Sequence, residues 1–118
     1  MRRIRASVIG IDQGTEDLFS DFATGGDMWT GSGPRERRKP VTFSEPYRQP
    51  PVVQVAVSLW DVDHGANLRA DLLAETVTEQ GFDLVFRTWS DTRVARARMT
   101  SLATRHIGRH TAWPPWGG

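Results

Sequence analysis

Cysteine is missing from all 118 residues. That excludes a disulfide framework, a thiolate metal site and a thiol nucleophile, and it fits synthesis in a reducing cytoplasm without demanding it. Long apolar runs are missing too. Nothing approaches the roughly 18 consecutive apolar residues of a membrane span, so no membrane insertion is expected. The opening Met1-Arg-Arg-Ile-Arg-Ala-Ser-Val-Ile-Gly-Ile-Asp12 is basic, but its apolar stretch is shorter than the about 7–15 residues of a secretory h-region. It reads as the start of the folded domain, with no signal peptide. Charge of a single sign is also lacking, since the net charge is +1 and exerts little pull on nucleic acid or anionic lipid. Lysine is almost absent: Lys39 stands alone beside 14 arginines. The arginine patches Met1–Arg5, Arg35–Lys39 and Arg93–Arg98 are each interrupted by acids or small residues. Arg93, Arg96 and Arg98 read better as a solvated strand face with acidic cross-strand partners than as a nucleic-acid site.

Signatures of catalysis and of metal binding are equally thin. There is no Gly-x-Ser-x-Gly elbow and no phosphate loop. A glycosidase needs two carboxylates about 5 or 6.5–9.5 Å apart across its substrate. Asp61 and Asp63 share parity, but acids so placed are common at turns. Asp61-Val-Asp-His-Gly65 opens like a calcium loop, yet it lacks a third acid before the glycine. Leu72 stands where the twelfth-position glutamate belongs. Asp61 is therefore read as capping a turn. His106 and His110 are four apart, beside Gly108 and without an evident third ligand. No metal, no cofactor and no enzymatic activity are expected.

What the chain does contain is turn and strand material: 11 Gly, 7 Pro and many Val and Thr. After Pro50-Pro51, Val53, Val55, Val57 and Leu59 alternate with Gln54, Ala56 and Ser58, the period of a half-buried strand. Past the Asp63–Asn67 turn, Leu68, Ala70, Leu72 and Ala74 face one way, and Arg69, Asp71 and Glu75 the other. Thr78-Glu-Gln-Gly81 reads as a hairpin turn, with Gly81 supplying a positive φ. In the strand Phe82–Trp89, Phe82, Leu84 and Phe86 oppose Asp83, Arg87 and Trp89. Ser90-Asp-Thr92 turns the chain into a last strand over 93–102, with Ala95, Ala97 and Met99 on one face and Arg96 and Arg98 on the other. Ser7–Ile11, Leu18–Phe22 and Val41–Phe43 are shorter strand candidates, separated by loops at Gly25–Asp27 and Gly31–Pro34. No stretch of 11 residues or more keeps a helical period. The pattern predicts one all-β antiparallel sandwich, followed by a Trp/Pro/Gly-rich tail over 106–118 whose Ala112–Gly118 part cannot continue a strand.

On this register Arg69 and Trp89 share the polar face of neighbouring strands, with Asp71, Glu75 and Asp83 beside them. A guanidinium fork can reach two vicinal hydroxyls, and an indole offers an apolar face to the C–H side of a pyranose. Spacing alone leaves two readings open. One is a carbohydrate site; in the other, Arg69 pairs with a carboxylate and Trp89 covers a sheet edge or a protein interface.

Five runs carry a resemblance: Val41-Thr-Phe-Ser-Glu-Pro-Tyr-Arg-Gln-Pro-Pro-Val-Val53, Trp60-Asp-Val-Asp63, Asn67-Leu-Arg69, Thr78-Glu-Gln-Gly-Phe82 and Thr88-Trp-Ser-Asp-Thr92. In order and spacing they resemble the H-type lectin domain, the snail agglutinin and discoidin type. The resemblance spans residues 41–103, and more weakly the earlier part through Gln13-Gly14 and Arg35-Glu36. It implies three segments: N-terminal strands and loops of the same domain in 1–40, the lectin-like core in 41–105, and the 106–118 tail. It further implies a six-stranded antiparallel β-sandwich that assembles as a trimer, or as two stacked trimers in a hexamer, and recognises galactose or N-acetylgalactosamine at shallow sites between subunits. Arg69 stands at the family's sugar-binding arginine and Trp89 at the tryptophan that lines the site.

Three positions depart from the family pattern. A histidine after the tryptophan is Ser90 here, a tyrosine six residues after it is Ala95, and an acid that bonds the sugar in the earlier loop is replaced within Gly31-Ser32-Gly33. Losing that acid removes a charge-assisted hydrogen bond of roughly 1.5–3 kcal/mol. The sequence thus predicts a carbohydrate-binding lectin module with Arg69, Trp89, Ser90, Ser32 and Gly31 at its site. Its partners would be glycans and other copies of itself, without nucleic acid. Made in the cytoplasm, it would reach glycans by lysis or in a phage-like particle. The alternative is a structural or adhesive component of a phage-like assembly that keeps the fold without binding sugar.

Overall fold

The computed structural model describes residues 7–109; the Met1–Arg5 patch, His110 and the Ala112–Gly118 part of the tail lie outside the described residues. Six strands build two antiparallel three-stranded sheets. One has β1 (Ser7–Phe19), β6 (Val94–Arg109) and β3 (Val52–Val62) in the order β1-β6-β3. The other has β2 (Arg35–Thr42), β5 (Gly81–Thr88) and β4 (Ala70–Glu75) in the order β2-β5-β4. This is the antiparallel sandwich that the turn spacing indicated, with the six strands that the resemblance implied. Among the described residues, no helix is long and apolar enough to cross a membrane.

The core lies between the sheets and follows the alternation of the two central strands. Phe82, Leu84 and Phe86 of β5 meet Ala97, Met99 and Ala103 of β6, all buried. Each such large side chain contributes about 1.5–3 kcal/mol by leaving water. Val85 faces the other way yet is also fully buried. Arg38 and Leu73 flank it across the sheet, and Arg38 bonds Glu75 and Asp83 on that face. In β3 the alternation holds at Val53 and Val55. A register shift between Val57 and Leu59 then leaves Val57 exposed while Leu59 stays half-buried.

Several expectations need correction. β1 is one 13-residue strand, longer than the candidate Ser7–Ile11 and absorbing Leu18 and Phe19. Val41 and Thr42 end a strand that begins at Arg35. The last strand runs to Arg109 rather than stopping near Leu102. β4 starts at Ala70, so Leu68 precedes it and is exposed. Gly81 has no positive φ. It must be glycine because a Cβ there would stand 2.1 Å from the Val41 carbonyl oxygen. The turn before it is closed by Thr78, whose hydroxyl accepts from the N–H groups of Gln80 and Gly81.

Two single helical turns, α1 (Asp21–Thr24) and α2 (Asp27–Thr30), occupy the segment between β1 and β2. Four residues cannot display a helical period, and tertiary contacts hold these turns. Asp21, nearly buried, accepts from the Met28 N–H at 2.9 Å. It also pairs with Arg37 of β2 at 2.8 Å, and Arg37 bonds Asp27 in turn. Gly26 leaves room for that carboxylate, since a Cβ would stand 2.4 Å from its carbon. Met28 is thereby driven fully into the core.

Burial pushes the Asp21 carboxyl up. The Arg37 hydrogen bonds, the Met28 N–H and the Arg37 charge together outweigh it, so the group sits below the usual carboxylate range. A carboxyl whose folded pKa is depressed adds stability above its unfolded value of about 3.9, and that stability is lost as pH falls through the folded value. Asp21→Asn is expected to cost roughly 1.5–3 kcal/mol at neutral pH, the worth of a charge-assisted bond. In urea titrations the gap to the wild type should hold above about pH 5 and close below about pH 4; a gap independent of pH would refute the assignment.

Candidate functional site

The turn after β5 and the segment before β4 are tied together by the residues of the two short motifs. Thr88 and Thr92 are both buried. The Thr88 hydroxyl donates to the Arg69 carbonyl and the Thr92 hydroxyl to the Asn67 carbonyl, each at 2.6 Å. Thr92 also accepts from the Arg69 N–H at 2.8 Å. The Asp91 carboxylate accepts from the Asn67 N–H and side-chain amide and from Arg69 Nη1, the last at 2.7 Å. These bonds, led by the Asn67 N–H, hold the Asp91 carboxyl below its ordinary range despite the opposing desolvation. The spacing Asn67-Leu-Arg69 against Thr88–Thr92 is therefore that of a mutually bonded pair of turns.

Arg69 immediately precedes Ala70 and Trp89 immediately follows Thr88, the pair at this end of the β4–β5 ladder. Asp91 takes Nη1. Nε and Nη2 make no hydrogen bond among the described residues, and the side chain is 39% exposed. Trp89 is 43% exposed. Sequence left Arg69 open between a carboxylate partner and a ligand, and the geometry accommodates both. Asp91 is the partner that spacing arguments missed, although it lay inside a quoted motif.

Ser90 occupies the left-handed region at φ +62, uncommon for a residue with a side chain. Its carbonyl accepts from the Gly33 N–H at 2.9 Å and from Arg35 Nη2 at 3.2 Å. Arg35, also buried, donates in addition to the carbonyls of Gly33, Asp27 and Met28. Gly33 has φ +75, and a Cβ on Gly31 would meet the Asp27 carbonyl oxygen at 2.6 Å. The loop carrying Gly31 and Ser32 is thus fastened within one chain to the turn carrying Trp89 and Ser90. Ser32 itself is exposed. Ala95, where the family pattern has a tyrosine, is buried, and its methyl group offers no polar atom. Nothing in the local sequence marks Arg35 as the clamp, because its partners are all backbone carbonyls.

Beside Trp89 the outer face of the β2-β5-β4 sheet forms an open concavity of about 340 Å³, bounded by Pro34, Glu36, Asp71 and Arg87. Glu75 and Asp83, which share this face, are both held by Arg38, and Glu75 also bonds Arg87. Arg38's hydrogen bond, the leading cause, holds Glu75 below the usual carboxylate range.

Other chemistry-bearing residues are taken up in pairs. Arg93 bonds Asp63, Arg96 bonds Asp61 and Arg98 bonds Asp17. Asp63, not Asp61, caps its turn, accepting from the Gly65 N–H at 2.9 Å. Asp61 pairs with Arg96 instead because it lies opposite that residue, one position before the end of β3. His106 is exposed on β6. Among the described residues, no group of three or more His, Cys, Asp or Glu side chains could hold a metal ion.

Comparison with known proteins adds four findings. Residues 38–104 match the family model described as the H-type lectin domain. The chain is 33% identical over 97 residues to a discoidin-1 polypeptide of Dictyostelium discoideum, a match that covers 80% of this chain and 38% of that protein. It is 53% identical over 113 residues to a Fuscovulum blasticum protein named ATP synthase subunits region ORF 7, covering 96% of this chain and 97% of the other. Wild-type discoidin II from Dictyostelium discoideum superposes with a TM-score of 0.74 at 20% identity, over 88% of this chain and 40% of that one; at such identity the likeness is one of fold. The chain therefore spans well under half of the discoidins it matches and nearly all of the ORF 7 protein.

The two hydrogen bonds of the buried Thr92 hydroxyl set a measurable cost. Thr92→Val keeps the shape but leaves the Asn67 carbonyl and the Arg69 N–H without that partner. Denaturant unfolding is expected to show a loss of about 1–3 kcal/mol; a change below about 0.5 kcal/mol would show that the turn does not depend on it.

Proposed function

Because the chain belongs to the H-type lectin domain family, we propose that it binds galactose- or N-acetylgalactosamine-type glycans at the rim formed by Arg69, Trp89 and Ser90 with Gly31 and Ser32. The observation that carries this reading is the division of labour at Arg69. Asp91 pins one nitrogen of the guanidinium, which leaves a donor edge on the segment that the Thr88 and Thr92 hydroxyls tie to the turn carrying the half-exposed Trp89 indole. A pyranose needs that combination: donors for vicinal hydroxyls and an apolar wall for its C–H face. Ser90 and Ser32 supply hydroxyls, and Gly31 lets the loop lie close. Recognition is non-covalent and uses no cofactor or catalytic group.

A single shallow site of this kind would bind at about 0.1–1 mM, or roughly 4–5.5 kcal/mol. Useful strength would come from several sites on one oligomer meeting a multivalent surface. We propose a trimer, with the outer face of the β1-β6-β3 sheet as the surface between copies. Its cross-strand rows Ile11–Thr104–Val52, Gln13–Leu102–Gln54 and Thr15–Thr100–Ala56 carry no charge. Ile11 is 67% exposed on it in the single chain. The opposite sheet has an outer face covered by ion pairs, which are costly to strip of water.

The second reading is a structural or adhesive component of a phage-like assembly, with no glycan bound. It is favoured by Ser32 at the place of a sugar-bonding acid, and by a 53% identical relative in which the shared fold takes up nearly the whole length.

On a glycan array the wild type is expected to bind terminal galactose or N-acetylgalactosamine saturably. Arg69→Ala should lose that binding while its unfolding midpoint stays near wild type. Unchanged glycan retention by the folded variant would sink the site assignment, and a folded oligomer that binds no glycan would move the function to the assembly reading. Light scattering should give a trimer mass for the wild type and a monomer for Ile11→Arg. A trimer that survives Ile11→Arg would remove this face as the interface.

A further inference from the structure

The concavity below Trp89 contains a carboxylate that the surrounding ion pairs leave out. In the cross-strand register Asp71 faces Arg87, which faces Glu36 on its other side. Arg87 gives Nε to Glu36 and Nη2 to Glu75, both at 2.8 Å. Its Nη1 makes no hydrogen bond among the described residues, and Asp71 has neither an ion pair nor a hydrogen-bonded side chain among them. Asp71 is exposed on β4, two residues after Arg69, and stands opposite Arg87 on the outer face of the sheet. Trp89 lines the same concavity as Asp71, and it follows Thr88, whose cross-strand partner Ala70 separates Arg69 from Asp71.

An ionised carboxylate is an acceptor with two oxygens. Set beside a free guanidinium nitrogen and the edge of an indole, it can take the hydroxyls of a neutral sugar, with Arg87 donating to a ring or hydroxyl oxygen. With Glu36 and Asp71 bounding the site and Glu75 behind Arg87, carboxylates outnumber the accessible cations. An acidic sugar, sialylated or sulfated, would meet like charge.

Resting on the glycan-binding reading above, we propose that Asp71 is the hydroxyl acceptor of a second sugar subsite, which shares Trp89 with the Arg69 rim and extends the site down the outer face of the sheet for a neutral residue next to the terminal one. Asp71 supplies from the sheet the anionic acceptor that the Gly31-Ser32-Gly33 loop lacks.

The test is isothermal titration of wild type, Asp71→Asn and Arg69→Ala with methyl galactoside and with a panel of neutral galactose-terminated disaccharides. For the wild type, at least one disaccharide is expected to bind about tenfold more tightly than the monosaccharide. Asp71→Asn should erase that advantage and change monosaccharide affinity less than about twofold. Arg69→Ala should lose both ligands. A disaccharide advantage that persists in Asp71→Asn, or a wild type that shows none, overturns the second subsite while leaving the Arg69 rim standing. A wild type that binds neither ligand overturns the rim and the subsite together.

Discussion

The guanidinium of Arg35 is enclosed at the end of the sandwich and donates to the carbonyls of Asp27, Met28, Gly33 and Ser90. Those four acceptors belong to three separate stretches: a helical turn, the glycine loop and the turn after β5. A buried carbonyl without a donor costs about 1–3 kcal/mol, so the clamp makes it possible for irregular backbone to close over the core. Met28 is seated in that core as a result, and Gly33 is brought against Ser90. The rim that carries Trp89 and Arg69 is fastened to the sandwich for the same reason. Its loops are held by backbone acceptors around one cation and by Thr88, Asp91 and Thr92 from below.

Charge is organised by a similar rule throughout. Most of the arginines within the described chain are matched to carboxylates, and the two outer faces differ sharply. One is laced with Glu36, Arg38, Glu75, Asp83 and Arg87; the other presents an uncharged patch around Ile11, Leu102 and Val52. Exposed ion pairs add little stability, about 0–1 kcal/mol each. Their consequence here is selective, since they consume the arginines of the face and leave Asp71 and part of Arg69 and Arg87 available. Function is thus read from which polar groups remain unspent.

The central strands could be read directly. Phe82, Leu84 and Phe86, and Ala95, Ala97 and Met99, alternate in sequence because they are inward residues of strands that face a single core. β1 could be read only in part, as Ser7–Ile11, because its pattern is inverted. Gly10, Asp12, Gly14 and Glu16 are the half-covered positions, while Ile9 and Ile11 are exposed. β2 was hidden as a run of charges, since Arg35 and Arg37 turn inward at a sheet edge and meet carbonyls and Asp21 instead of apolar side chains. Edge strands commonly carry such inward charges, which discourage pairing with other chains. The helical turns were too short to have a period. Around the candidate site, Arg69 and Trp89 were singled out from parity and from the resemblance, whereas the clamp at Arg35 and the Asp91 partner were not.

Local chemistry alone decided the alternation of the central strands, their facing residues and the absence of thiol chemistry. All of these depend on a side-chain period of two or on which residue types exist, and both are properties of the chain before it folds. Tertiary structure decided which carboxylate each arginine takes, why Gly81 and Gly26 must be glycine, and where the glycine loop docks. Those outcomes depend on distances between segments remote in sequence: 55 residues separate Arg35 from Ser90. No periodicity along the chain encodes such a contact, because it exists only when both sheets have packed.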